Sequence, residues 1–321
     1  MLRELKGTKI LVDICGNVQK GENVVVVTDS ENEEIADFIS SMSLAVGAET
    51  VVVSMAPRSN HGENPPSAIA AALMEADVIF AVTTFSLFHS TARINACNNG
   101  ARWVNMAGYT KDMLKQGGLM VNFPKRRILA EKLADILSNA DNVLVKTEKG
   151  TDLSFSIKGR KAIPEGGISD KPGMVNSPPD IETCIAPVEG TAQGKVVLDG
   201  SIVQPGLGPL GEDVFLKIEN GNVTEITGGS EAKLFEQMLK NADDPNVYNI
   251  GEFGIGLNPE CRLCGSMLED EGVYRTAHFG IGDNHTMGGT VEASMHTDSI
   301  FWEPTVYVDD KQIILKGDLQ I

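Results

Sequence analysis

Three of the chain's five histidines, His278, His285 and His296, fall in the single stretch TAHFGIGDNHTMGGTVEASMHTD, residues 276–298. Asp298 follows His296 by two residues, and the two-residue period of a strand puts both side chains on one face. An imidazole and a carboxylate side by side, with two more imidazoles nearby, can ligate a divalent metal. Gly280, Gly282, Gly288 and Gly289 share the stretch. Glycine lets backbone approach a ligand closely and turn sharply, at an entropic cost that a purely structural strand avoids. A histidine alone is more often a packed or surface residue; it is the cluster beside the HxD pair that points to a metal.

Two carboxylates elsewhere belong with this group. Glu252 in NIGEFGIGLNP and Glu182 in PPDIETCIAP each put one charge into an apolar strand pattern. Such a charge is costly to bury unpaired and should meet a cation, unless the residue is a half-exposed strand position. The acids of LEDEG (268–272) read as a solvated turn. Cys261 and Cys264 form a single CxxC, with neither the second pair of a zinc knuckle nor a thioredoxin-like context.

The first half of the chain alternates strand and helix. NVVVVTD (23–29), ETVVVSM (49–55), ADVIFAVTT (76–84) and ARWVNMAG read as strands. Between and after them lie helical patterns from ENEEIADFISSMSLAVGA, capped at Asp29 and Ser30 and ending near Gly47, to RRILAEKLADILSNA (126–140). That alternation predicts a doubly wound, mainly parallel sheet. No GxGxxG or GxxxxGK[ST] follows any of these first-half strands, which argues against the usual nucleotide fingerprints. His89, in TTFSLFHST at the end of the third strand, is a candidate substrate-binding residue, because open α/β sheets take ligands at that end. Its other reading is a polar residue at a helix start.

From about residue 142 the pattern becomes strand-rich, with a long Gly/Pro-rich loop at 163–180, a hairpin over 214–226 with an Asn-Gly turn, and a helix at 231–242. The expectation is a doubly wound α/β domain over 1–145 and a strand-rich α+β domain carrying the metal site over 146–321.

The 321 residues carry a net charge of −17 and a pI near 4.7, which argues against nucleic acid and anionic membranes as partners. No apolar run is long enough to span a bilayer, and the first residues lack a signal-peptide pattern. An odd five cysteines fit a reducing cytoplasm.

Taken in order, NSPPDIETCIAPVEGTAQGKVVLDGSI, GEFGIGLNP, TAHFGIGDNHTMGG and MHTDSIF resemble the aminopeptidase T/aminopeptidase S group of metallopeptidases, family M29. The same layout resembles 2,5-dihydroxypyridine 5,6-dioxygenase, a non-haem iron enzyme sharing that fold. The peptidase resemblance implies metal ligands at Glu182, Glu252, His278, His296 and Asp298, with His285 where the peptidases have a tyrosine. The dioxygenase resemblance implies one iron held by two His and one Asp. Its first His falls at Glu252 and its HxD pair at His296 and Asp298, so His278 or His285 would supply the missing imidazole. Glu182, Glu252 and His278 kept together favour the hydrolase. The expectation is therefore a metal-dependent amidase, most simply an aminopeptidase on short peptides. Zn, Co or Mn ions on Glu252, His278, His296 and Asp298 would activate a water, with Glu182 and His285 catalytic. The alternative is a ring-opening dioxygenase with one Fe(II) and a small hydroxylated heterocycle; a third reading is a binding protein that keeps the fold without a metal. The resemblance also implies a homodimer.

Overall fold

The protein is described by a computed structural model over residues 4–321. Its architecture is the expected mixed α/β one, a parallel sheet followed by antiparallel, strand-rich sheets. Two compact units divide the chain. One runs to Arg127 and takes in Gly166–Pro179; the other comprises Ile128–Glu165 and Asp180–Ile321. A single cut at 145/146 does not describe this partition, because one segment of the Gly/Pro-rich loop returns to the first unit.

In the first unit five parallel strands stand in the order Glu49–Met55, Asn23–Asp29, Val78–Val82, Arg102–Asn105, Val175–Asn176. Val78–Val82 is buried along its whole length, as an apolar run with cover on both faces should be. Glu49–Met55 has the same apolar look but is the edge strand, and Val51 and Val52 stay 55% and 41% exposed. The helix Glu33–Val46 stops at Gly47, whose φ of +96° is a left-handed cap conformation that costs glycine nothing. Its N-cap is Asn32, not Asp29 or Ser30. Asp29 is needed elsewhere: its carboxylate accepts from Thr84 N at 2.6 Å and from Asn32 Nδ2 at 2.8 Å, tying together the two strand ends where the sheet order reverses.

The loop expected over 163–180 contains two short strands. Ile163–Glu165 pairs with Glu182–Ile185, and Val175–Asn176 completes the parallel sheet. Strands this short carry no readable period.

The second unit consists of an eight-stranded and a seven-stranded antiparallel sheet with the helix Ser230–Asn241. The seven-stranded sheet carries, side by side, Glu182–Ile185, Ile250–Gly256, Thr276–Gly282 and His296–Trp302. Period-two alternation gives its faces opposite chemistries. Phe253, Phe279 and Phe301 all point to one face, wholly buried. They stack in series, with Phe279 and Phe301 5.5 Å apart, and Phe155 of the other sheet packs edge-on 5.3 Å from Phe253. Each buried ring contributes about 1.5–3 kcal/mol of hydrophobic stabilisation. That aromatic layer fixes which side chains the same strands present on the opposite face. Among the described residues no helix is long and apolar enough to cross a membrane.

Candidate metal centre

The opposite face of the seven-stranded sheet collects the chemistry. Glu252, Gly280 and Asp298 lie directly across from one another on three adjacent strands. In the next row stand Cys184, Gly254 and His278; in the one after, Glu165, Glu182 and Gly256. His296 is opposite Gly282. Apart from Glu165, each of these acids and imidazoles faces a glycine across the strands, and this is the use of the GEFGIG and FGIG patterns. A Cβ on Gly254 would lie 2.1 Å from His278 Nε2, and one on Gly280 2.5 Å from the His296 ring and 2.7 Å from Glu252 Cβ. The imidazoles lie in the space left by absent side chains.

The distances are those of one cluster. His296 Nε2 is 2.9 Å from Glu252 Oε2 and 3.1 Å from Asp298 Oδ1. His278 Nε2 is 3.2 Å from Glu182 Oε2 and 3.8 Å from Glu252 Oε1. One ligand atom from each of Glu252, His296 and Asp298 lies within 4.8 Å of the others, and the same holds for Glu182, Cys184 and Glu252. His296 Nδ1 is 2.7 Å from the carbonyl oxygen of Asp283, which can only accept. Nδ1 therefore carries a proton, and Nε2 is the nitrogen turned to the acids.

So many acids cannot all be charged in a dry site. Burial pushes Glu182 well above the usual carboxylate range, reinforced by Asp180, Glu252, Glu165 and Asp298. Asp180 and Glu271 are raised for the same first reason, and Glu165 is pushed up to about 7. Burial acts on Glu252 in the same direction, but its bonds to His278 and His296 outweigh it and hold the group below the ordinary value. Asp298 is likewise held low, His296 overcoming burial. Burial also disfavours a charged His296, yet Asp298 and Glu252 keep it protonated well above the usual histidine range.

Among the described residues several buried polar atoms here have no hydrogen-bond partner: Asp180 Oδ1, Glu182 Oε2, Glu271 Oε1 and His278 Nδ1. Glu182 Oε2 is near His278 Nε2 but without hydrogen-bond geometry. Buried oxygens without donors, facing excess acid, are what a bound dication would relieve. Nitrogen and carboxylate donors are the set that suits such an ion.

Of the residues singled out in the sequence, Glu182, Glu252, His278, His296 and Asp298 stand together. His285 does not join them. It lies half-exposed on the turn His285–Met287, its Nδ1 bonded to the Asp283 carboxylate at 2.7 Å. His89 belongs to the first unit, exposed, its ring against Phe88. Sequence reading missed Glu165, Asp180, Cys184 and Glu271. Asp180 and Cys184 alternate with Glu182 and were there to be found by period two; Glu165 reaches the site only through pairing across the sheet, and Glu271 from the end of the short helix Met267–Asp270. The LEDEG acids are not a solvated turn. Glu269 and Asp270 are buried, Glu269 bonds to Arg262, and Asp270 accepts from Ser201 Oγ at 2.6 Å and from the Cys264 amide at 2.7 Å. Among the described residues neither cysteine of the CxxC is in a disulfide.

Comparison with known proteins separates the two families this layout resembles. A curated 2,5-dihydroxypyridine 5,6-dioxygenase of Pseudomonas putida KT2440 is 31% identical, over 77% of this chain and 72% of its own length. The solved structure of 2,5-dihydroxypyridine dioxygenase from that organism superposes with a TM-score of 0.83 at 24% identity, covering 99% of this chain and 96% of the other. Wild-type AmpT from Thermus thermophilus matches over the full length of both chains, with a TM-score of 0.71 at 15% identity, and so shares the fold. The family model of 2,5-dihydroxypyridine 5,6-dioxygenase (NicX) matches residues 11–321. These matches overturn the expectation of a metallo-aminopeptidase, which rested on ligand types that both groups can hold. The chain belongs to the 2,5-dihydroxypyridine 5,6-dioxygenase family.

Proposed function

We propose that this chain is a ferrous-ion-dependent dioxygenase that opens the ring of a dihydroxypyridine-like small molecule. One observation carries the reading: Glu252, His296 and Asp298 present ligand atoms within 4.8 Å of one another, in a chain of that family. They would hold the ion, with His278 beside them. The set departs from two imidazoles and one carboxylate, since Glu252 stands where the resemblance puts the first histidine; His278 restores the second imidazole. A ferrous ion supplies the one-electron chemistry that lets triplet dioxygen react with a closed-shell ring.

The chain's own residues do the rest. The Asp283 carbonyl fixes the His296 tautomer through Nδ1. Glu182, kept neutral by burial and by the acids around it, presents Oε2 as a hydrogen-bond partner for a ring hydroxyl or carbonyl. His278 Nε2 lies 3.2 Å from that oxygen and 3.8 Å from Glu252 Oε1, so the second imidazole borders both the neutral acid and the ion-holding set. Five cysteines with no disulfide among the described residues fit a reducing compartment, and we place the reaction in the cytoplasm.

The test is anaerobic purification, loading with Fe(II), and measurement of iron content and oxygen uptake on 2,5-dihydroxypyridine. The expected result is one iron per chain and one dioxygen consumed per ring lost. Iron-loaded protein that leaves both oxygen and a panel of dihydroxypyridines untouched would overturn the assignment.

A further inference from the structure

We infer that Arg160 and Glu189 are positioning residues for His296, acting through the segment that joins Thr276–Gly282 to His296–Trp302. The inference rests on the reading of His296 as a metal ligand. Its starting point is the 2.7 Å contact between His296 Nδ1 and the Asp283 carbonyl. That oxygen sets the tautomer and the plane of the ring, so whatever fixes residue 283 fixes where Nε2 points.

Residues 283–295 have little apolar burial to hold them: most of the segment is exposed or half-exposed. Polar bonds do the work. Asn284, wholly buried, is at the centre. Its Oδ1 accepts from Val291 N at 2.9 Å and its Nδ2 donates to Glu189 Oε1 at 3.1 Å. Glu189 Oε1 also accepts from Thr290 N at 2.8 Å. The other oxygen of Glu189 is bonded to Arg160, whose second terminal nitrogen donates to the Gly288 carbonyl. One ion pair therefore grips the segment at three places: residues 284, 288 and 290. Gly289 must be glycine for this, because a Cβ there would lie 2.1 Å from the Asn284 amide. Burial raises Glu189, but its backbone bonds, Asn284 and Arg160 outweigh that and keep it ionised.

The clamp and the ligand are thus linked by consecutive residues, Asn284 to Asp283, and then by one hydrogen bond to the ring. Neither Arg160 nor Glu189 is among the groups of the metal cluster. Removing the clamp frees the Asp283 carbonyl to move and His296 to rotate.

The experiment compares Glu189→Ala, Glu189→Gln, Arg160→Met and His296→Ala with the unaltered protein. Three quantities are read: Co(II) affinity by chelator competition, the nitrogen-15 signals of the His296 ring in ion-free protein, and the thermal midpoint. Glu189→Ala should weaken Co(II) binding about 10–100-fold, the usual effect of losing a residue that orients a ligand. It should also change the His296 ring signals. Glu189→Gln, which still accepts from Asn284 and Thr290, should recover most of the affinity. Arg160→Met leaves those bonds in place and serves if Glu189→Ala does not fold; it should lower affinity and shift the ring signals in the same sense. A merely structural role would lower the thermal midpoint without altering the His296 ring signals. Lost binding in His296→Ala together with unchanged affinity and ring signals in Glu189→Ala or Arg160→Met overturns the inference alone. Full affinity in His296→Ala would remove the ligand role itself, and this inference with it.

Discussion

The glycine opposite the central acids gives the sharpest test of the site. In Gly280→Ala the new Cβ would sit 2.5 Å from His296 Cε1 and Nε2 and 2.7 Å from Glu252 Cβ. Carbon contacts relax at about 3.5–4.0 Å, so the ring must retreat by about 1 Å. It cannot do so freely, because Nδ1 is tied to the Asp283 carbonyl and the strand below is fixed by buried Phe279 and Phe301. Displacements of about 1 Å at a reacting centre can cost 10²-fold in rate, while overpacking by one methyl costs about 1–3 kcal/mol of stability. The expected result is a drop in Fe(II) affinity and a turnover loss of about 10²-fold, with a modest fall in thermal midpoint. Phe155→Leu is the control, since it loosens the aromatic layer between the sheets and leaves the metal face alone. It should lower the midpoint without changing ion affinity. Chelator competition and differential scanning fluorimetry on both variants decide the matter. Fe(II) affinity in Gly280→Ala equal to that of the unaltered protein would refute the claim that this glycine exists to seat the ring.

Other outcomes follow from the same geometry. His296→Ala should abolish tight divalent-ion binding with near-native circular dichroism, because the side chain is part-exposed and little core is lost; a variant that still binds iron tightly would count against the centre. Phe279→Ala, at a fully buried ring on the other face, should cost about 3–5 kcal/mol in denaturant unfolding. Ion-free protein should lose stability as pH rises from about 4.5 to about 7, because Glu165 titrates near 7 when folded and near 4.5 when unfolded. A carboxyl with a raised folded pKa binds its proton more tightly in the folded state, so its stabilisation is lost as pH climbs through that window. Glu182, Asp180 and Glu271 shift in the same direction. Thermal midpoints at pH 5 and pH 8 should therefore differ without metal and converge with it; a midpoint that rises with pH in ion-free protein would contradict this account.

Much of the fold and part of the site were legible because they rest on local pattern. The strands Asn23–Asp29 and Val78–Val82 read as apolar runs because both faces are covered, and His296 with Asp298 read as a pair because a strand repeats every two residues. What stayed hidden depends on pairing between distant segments. Glu165 meets Glu182 only through a three-residue strand inside a Gly/Pro-rich stretch. His285 misled for the opposite reason, being close in sequence and not in the cluster. Gly282, at φ +119°, ends the strand and sends residues 283–295 away from the regular ladder, where His285 pairs with Asp283. The glycines were noticed, but as places for backbone to approach a ligand; that they make room for imidazoles needs the register. The chemistry itself was not legible, because carboxylates and imidazoles in this order serve hydrolases and dioxygenases alike.

The acidity of the face nevertheless narrows what the proposed reaction can involve. Glu252 and Asp298 are the two carboxylates held in their charged form, and together they match the charge of one dication. Glu165, Asp180, Glu182 and Glu271 resist ionising in the same dry space. A filled site is then close to neutral, ringed by acids that can donate hydrogen bonds while they keep their protons. A planar ring that gives up one hydroxyl proton would bring a single negative charge into this surrounding, where the cation attracts it and neutral carboxyls can bond to it. A second negative charge on the substrate would face Glu252 and Asp298 with no further cation among the cluster residues. Under the proposed reaction such a site would favour a neutral or singly charged hydroxylated ring, the class to which a dihydroxypyridine belongs.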